Sequence, residues 1–143
     1  HLYQTLHETK EAVINFMSAD IYDKCMSTIR HNQFDDDEIA KAGLTSIKAD
    51  MVNAPMIEEC FINLECKYKW EKEIAKGDDY TLMCLEIVNV HIDERHLDEN
   101  DLGRTGKTGI LYNIHHPINP EQFSGTAHDY LGVIEKIRDY AEY

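Results

Sequence analysis

The residues best suited to chemistry in this 143-residue chain are its four cysteines and eight histidines. Thiols at Cys25, Cys60, Cys66 and Cys84 form no C-x-x-C pair. Cys60 and Cys66 point to the same face if they share a strand, with Cα atoms roughly 20 Å apart, too far for a disulfide. The expectation is four reduced, mostly buried thiols in a cytoplasmic protein. A cysteine nucleophile has no local support. The histidines give no H-E-x-x-H or C-x-x-C…H pattern, and the adjacent His115 and His116 would point to opposite faces of a strand. Their spacing predicts no metal centre. Only four arginines are present to receive an anionic group, and Arg30 and Arg104 are the two singled out here. The stretch from Tyr112 to Tyr130 (YNIHHPINPEQFSGTAHDY) concentrates hydrogen-bonding and aromatic groups.

Charge narrows the partners. With 27 acidic and 14 basic residues the formal charge is −13. Such a surface repels a phosphate backbone, so nucleic acid is not an expected partner. No apolar run approaches the length of a membrane span, so no membrane partner is expected. Apolar residues make up 43%, enough to build a core, so disorder is not expected.

The elements that must position these groups follow from periodicity. Leu2–Glu11 reads as a helix and 12–17 as a short buried strand. Ser18 or Asp20 then caps a helix reaching about Arg30, with Ile21, Cys25, Met26 and Ile29 on one stripe. The acidic run 35–38 suits a helix start, and Gly43 a helix stop; the run lacks the alternating ligands of a calcium loop. Residues 60–70 alternate with period two. Even positions from Cys60 to Trp70 form the expected buried face, and Asn63 and Glu65 lie opposite. Residues 76–79 are turn chemistry, and 80–93 read as a second strand, apolar on both faces, closing an antiparallel hairpin. A loop over 98–107, a strand over 110–114 and a terminal helix over 131–143 complete the chain. There is no G-x-G-x-x-G, P-loop or G-x-S-x-G. The pattern is mainly β with helices, an α+β or β-barrel domain.

Three stretches, in order, add a resemblance. Gly43-Leu44-Thr45, Val52, Ala54-Pro55, Ile57, Glu58 and Asn63-Leu64-Glu65-Cys66 match a "GLT … V-x-A-P-x-I-x-E … N-L-E-C" order. Upstream, Glu8-Thr9-Lys10-Glu11 with 12–16 resembles an "E-T-x-E-F-V-V-N" step, and downstream 85–93 resembles "G-E-V-V-x-V-H-I-D". Together these resemble the flavin reductase-like family, especially its flavoredoxin type. The resemblance spans 1–143 as a single domain and matches about the C-terminal three-quarters of the family's length. The chain opens HLYQTLHETKE without Met, and the expectation is that N-terminal strands of the family lie before it.

The resemblance implies an FMN-binding split β-barrel, usually a homodimer. Electrons would pass from a reduced nicotinamide, NADH or NADPH, or from a protein donor, through the flavin to an acceptor. No catalytic side chain is implied. The family's phosphate-contacting "D-T-x-x-N-I" falls on His1, Leu2 and Thr5, none of which is the family residue; Thr5 keeps a hydrogen-bonding group. The cofactor-binding candidates are Thr5, Arg30, Tyr112, His115, His128 and Tyr130, with Ser124-Gly125-Thr126 as a further phosphate candidate. Tyr112, His115, His128 and Tyr130 are placed to stack on or bond the ring, and His128 to relay a proton. Trp70 is expected in the core or a dimer interface, and Asn63 and Glu65 along that interface. The alternative is a non-catalytic binding or structural barrel that has lost flavin.

Overall fold

The computed structural model describes residues 2–31, 36–77, 81–97, 111–115 and 129–133. Its strands are β1 (Glu11–Phe16), β2 (Ser46–Ile47), β3 (Met56–Ile57), β4 (Ile62–Glu73), β5 (Thr81–Ile92), β6 (Leu111–His115) and β7 (Asp129–Val133). Its α-helices are α1 (Leu2–Thr9), α2 (Tyr22–Ser27) and α3 (Glu38–Lys41). Among the described residues the strands form three sheets, in the orders β1-β4-β5, β2-β3 and β6-β7. All pairings are antiparallel. The mainly β expectation with a central β4–β5 hairpin therefore holds.

Helix α1, expected to reach Glu11, ends at Thr9, and Glu11 opens β1. Lys10 adopts φ +59° and its amide donates to the Leu6 carbonyl at 2.9 Å, closing the last turn as a left-handed cap. The Lys10 ammonium lies 4.4 Å from the centre of the Tyr68 ring, which gives this conformation a contact glycine would lack. Tyr3 Oη donates to Glu71 Oε1 at 2.8 Å and His7 Nε2 sits 2.9 Å from Glu71 Oε2, fastening α1 onto β4. The acidic run behaves as expected over its described residues, 36–38. The Asp37 carboxylate accepts from the Ala40 amide at 2.9 Å, capping α3, and Gly43 follows it at φ +69°.

Three expectations are corrected. The helix from Ser18 or Asp20 to Arg30 is broken into 3-10 turns at Ala19–Ile21 and Thr28–His31 around the short α2. The Ser18 hydroxyl turns to the Asp20 carboxylate instead of capping a backbone amide, and of the expected apolar stripe only Ile21 is buried, while Met26 and Ile29 are exposed. Residues 131–133 belong to β7, opposite 111–113 of β6, so no helix begins at Leu131; residues 134–143 and the loop 98–107 lie outside the described residues.

The third correction concerns which face of the sheet is buried. Register places Ile14, Leu64 and Val90 on one face with Phe16, Ile62 and Ile92, and Asn15, Asn63 and His91 on the other with Val13, Glu65 and Asn89. From Ile62 to Glu65 the polar-bearing face is the more covered one, while Cys60 and Cys66 of the expected face are buried as well. Asn63 and Glu65 are buried, whereas Ile14, Phe16, Val90 and Ile92 are exposed at 39%, 43%, 48% and 37%. Strand β1 is accordingly not a wholly buried strand, nor is β5 covered on both sides. Trp70 of β4, paired with Cys84 of β5, is half exposed and lies outside the core.

The segment running from β2 to β3 covers that face. Its ladder is only two residues long, so its amides need other partners. Sheet side chains provide them. Glu11 Oε2 accepts from the Asn53 amide and side chain at 2.8 and 3.0 Å, and Asn15 Oδ1 accepts from the Ile57 amide at 3.0 Å. Asn63 Nδ2 donates to the Ile57 carbonyl at 3.3 Å. Between these bonds Ala49, Val52 and Met56 form a small core with Val13, Ile47, Ala54 and Val88. Truncating Met56→Ala in this core is expected to cost about 2–5 kcal/mol, read as a lower urea midpoint with an unchanged slope.

Candidate functional site

Two clusters of titratable side chains are built by these elements. The first centres on Glu65, which is fully buried. Its Oε2 accepts from the amides of Met51 and Val52 at 2.6 and 3.0 Å, and its Oε1 from the Asp50 amide at 3.1 Å. Oε1 also accepts from Asn89 Nδ2 at 2.9 Å and His91 Nε2 at 2.6 Å, a contact that requires the proton on Nε2. Burial pushes the Glu65 carboxyl up. The bonds from His91, Met51, Asn89 and Asp50 outweigh it and hold the group at about 2.

Asp50, Glu65 and His91 bring a carboxylate pair and an imidazole within 4.8 Å of one another, the composition of a metal site. Five donors already occupy the Glu65 oxygens, however, and a carboxylate has about four lone-pair positions. Asp50 Oδ2 stays 3.8 Å from His91 Nε2. The arrangement is that of a latch gripping consecutive backbone amides. Spacing alone missed it, because Glu65 and His91 meet only through the β4–β5 register. The expectation that Asn63 and Glu65 line a dimer interface is thus corrected, because both are buried inside the chain.

The second cluster lines a cavity of about 310 Å³ formed by Ser18, Asp20, Glu59, Phe61, Asp93, Arg95 and His96. Phe61 and His96 stack with ring centres 5.0 Å apart, and His96 Nδ1 is buried without a hydrogen-bond partner among the described residues. Arg95 is engaged by Asp93, and its side-chain and backbone donors hold the Asp93 carboxyl down at about 2. Glu59 accepts from Thr45 at both its amide and its hydroxyl, and Asp20 from Ser18. With three carboxylates against one guanidinium, the cavity favours hydrogen-bond donors or cations and repels a phosphate.

Of the predicted cofactor residues, Thr5 and Tyr112 have side chains among the described residues. Thr5 lies on α1 with its side chain exposed. Tyr112 is on β6, half exposed, opposite Gly132. His115 and Tyr130 occupy β6 and β7, opposite Asp129 and Ile114, so the register brings their backbones within one two-stranded ribbon. Arg30 falls in the Thr28–His31 turn; its side chain, like His128, Arg104 and residues 124–126, lies outside the described residues. Among the described residues no helix is long and apolar enough to cross a membrane.

Comparison with known proteins places this geometry. The sequence model of the flavin reductase like domain matches residues 1–115. An uncharacterized protein of Aquifex aeolicus (strain VF5) is 32% identical over 94 residues, covering 65% of this chain and 46% of that protein. The chain thus spans under half the length of the curated relatives it matches. A putative flavin reductase with split barrel domain from Shewanella frigidimarina NCIMB 400 superposes with a TM-score of 0.75 at 19% identity, covering 100% of this chain and 66% of that one. Flavoredoxin of Desulfovibrio vulgaris (Miyazaki F) gives a TM-score of 0.72 at 20% identity, covering 100% and 67%. The shared fold is the split β-barrel, and the three sheets of the described residues do not close on themselves.

The Glu65 latch generates a pH prediction. Its folded-state carboxyl lies below the ordinary 4.5, so its contribution is complete above that value and is lost as pH falls from about 4.5 towards about 2. Glu65→Gln presents an NH2 group to backbone donors. It is expected to cost about 3 kcal/mol or more at neutral pH and to flatten the acid limb of a stability–pH profile measured by urea unfolding. An acid limb unchanged in Glu65→Gln would show that other carboxylates govern it.

Proposed function

This chain belongs to the flavin reductase-like domain family, and from that membership we propose that it is part of an FMN-binding protein that moves electrons from a reduced nicotinamide or a redox-protein donor to an acceptor. The observation that carries the proposal is the family match over residues 1–115, together with a split-barrel fold.

The chain's own residues fit a flavin in part. Thr5 offers an exposed hydroxyl able to donate to a phosphate oxygen, and Tyr112 an exposed aromatic face able to cover a ring. The carboxylate-lined cavity does not suit a phosphate, which supports the reading that Thr5 and Arg30 hold it. In the proposal His115 and Tyr130 of the β6–β7 ribbon, with His128, bond or stack on the ring. A bound flavin supplies two-electron chemistry, so the protein needs only to hold the phosphate, bond the ring edge and leave one face open. That requirement agrees with a chain lacking a triad or nucleophile motif.

The proposal includes a homodimer, for which the exposed apolar sheet face at Phe16, Val90 and Ile92 is the supporting observation. It includes a cytoplasmic location, supported by free thiols at all four cysteines. The net charge of −13 suits docking of a basic redox partner. The second reading, a binding or structural barrel that has lost flavin, is favoured by Leu2 and Thr5 standing at the family's threonine and asparagine.

Visible spectra of the protein titrated with FMN and with FAD separate these readings. Retention of FMN at micromolar concentration, followed by anaerobic bleaching with NADH or NADPH, is the expected result. Retention without bleaching by either nicotinamide leaves a carrier fed by a protein donor. No retention overturns the proposal in favour of the second reading.

A further inference from the structure

Helix α1 is lightly anchored. Of its eight residues only Leu6 is buried, and Leu2 is 76% exposed. Among the described residues, the side-chain bonds that tie it to the sheet converge on one residue of β4. Tyr3 Oη donates to Glu71 Oε1 at 2.8 Å, and His7 Nε2 lies 2.9 Å from Glu71 Oε2. Tyr3 and His7 are four residues apart, so they share one side of the helix, a turn apart along its axis. Their ring centres lie 4.4 Å apart, and His7 meets the Tyr68 ring at 5.3 Å. We propose that Glu71 is a positioning residue of the flavin site: by clasping Tyr3 and His7 it fixes the rotation of α1 and so turns Thr5 towards the flavin phosphate.

Helix phase is the physical basis. Each residue advances a helix by about 100°. Thr5 stands midway between Tyr3 and His7 in sequence, so it projects from the side opposite both, and its side chain is exposed. With Tyr3 and His7 held against β4, Thr5 faces away from the sheet. One bond would leave the helix free to pivot about it. Two bonds a turn apart, ending on the two oxygens of a single carboxylate, fix its rotation and its slide together. An ionised carboxylate suits that task, because it only accepts and offers both oxygens. The Tyr3 bond, aided by His7, holds the Glu71 carboxyl below its ordinary value, so the accepting form is the one present at neutral pH. The far end of α1 is tied separately, by the Tyr68 amide on the Lys10 carbonyl at 2.9 Å. The clasp therefore governs the part of the helix that carries Thr5.

This role rests on the functional reading above, in which Thr5 holds the phosphate of a bound flavin. Glu71 is not itself a phosphate ligand, because its own charge repels one. Acting by position, it strengthens flavin binding through the phosphate alone, and its removal weakens FMN. Acting by charge, its removal would strengthen FMN. A general loss of structure would weaken every flavin equally. Riboflavin, the flavin without a phosphate, tells these cases apart.

The affinities of the full chain for FMN and for riboflavin are measured by flavin fluorescence, unsubstituted and as Glu71→Ala. The expected result is a rise of about 3- to 30-fold in the Kd for FMN, with riboflavin affinity unchanged. The α1 amides are expected to exchange faster with solvent in flavin-free Glu71→Ala. Tyr3→Phe removes one of the two bonds at an exposed site; it is expected to act in the same direction more weakly, and it replaces Glu71→Ala if that variant fails to fold. Where riboflavin binds too weakly to compare, a cycle with Thr5→Val decides on FMN alone: once the Thr5 hydroxyl is gone, Glu71→Ala is expected to cost little more. Equal losses for both flavins, additive losses in the cycle, α1 amides that exchange no faster, or FMN binding that is unchanged or tighter in Glu71→Ala would each overturn the proposal. An unsubstituted chain that retains no FMN would overturn the functional reading itself, and the role of Glu71 with it; that result shows before any substitution is made.

Discussion

One buried carboxylate constrains most of this molecule. Glu65 has no solvent to share its charge with, so its stability rests on the donors that reach it. Three of those are consecutive amides of the 50–52 turn and two are side chains of the neighbouring strand. That arrangement joins a segment with almost no ladder of its own to the centre of the sheet. Glu11, Asn15 and Asn63 repeat the device along the same face, and the small apolar cluster around Met56 fills the spaces between. Here polar side chains substitute for the missing strand partners of a loop, and the apolar contacts complete what they hold in place.

The same constraint explains what the sequence could and could not reveal. The period-two pattern from Cys60 to Trp70 correctly indicates a strand, and the hairpin with β5 follows from the intervening turn residues. A period cannot say which face meets the rest of the chain. Apolar alternation favours the even positions, yet Asn63 and Glu65 are covered, because the segment above them supplies amides that Leu64 and Ile62 cannot bond. Capping signals were legible where they act within a few residues, as with Asp37 and Gly43. They failed at Ser18, whose hydroxyl has a nearer acceptor in Asp20. The stretch after Leu131 shows helical spacing, but at 131–133 pairing with β6 overrides that preference.

The candidate site was legible to a smaller degree, for a related reason. The family order of motifs can be read along the chain, whereas Glu65 with His91 and Phe61 with His96 are juxtapositions made by tertiary structure. His91 and His96 are close in sequence, on either side of the end of β5. One serves the latch and the other the cavity, and the Asp93–Arg95 ion pair separates their surroundings. The distribution of charge carries functional information too. Acid is concentrated at the cavity between the first 3-10 turn and the end of β5, and an anionic ligand group is better accommodated elsewhere.

The irregular step in β5 has a consequence for how this chain can change over time. Glu65 pairs with Asn89 while Cys66 pairs with Ile87, so Val88 is a surplus residue in that strand. Because of it, Val88 reaches the Met56 core while Asn89 still reaches Glu65. Removing that one position would slide everything on one side of it by a single place and turn each side chain there to the opposite face. Inheritance at this point should accept exchanges of one apolar residue for another of similar volume and reject any gain or loss of a codon. A strand that looks interchangeable in composition is, at this position, fixed in length.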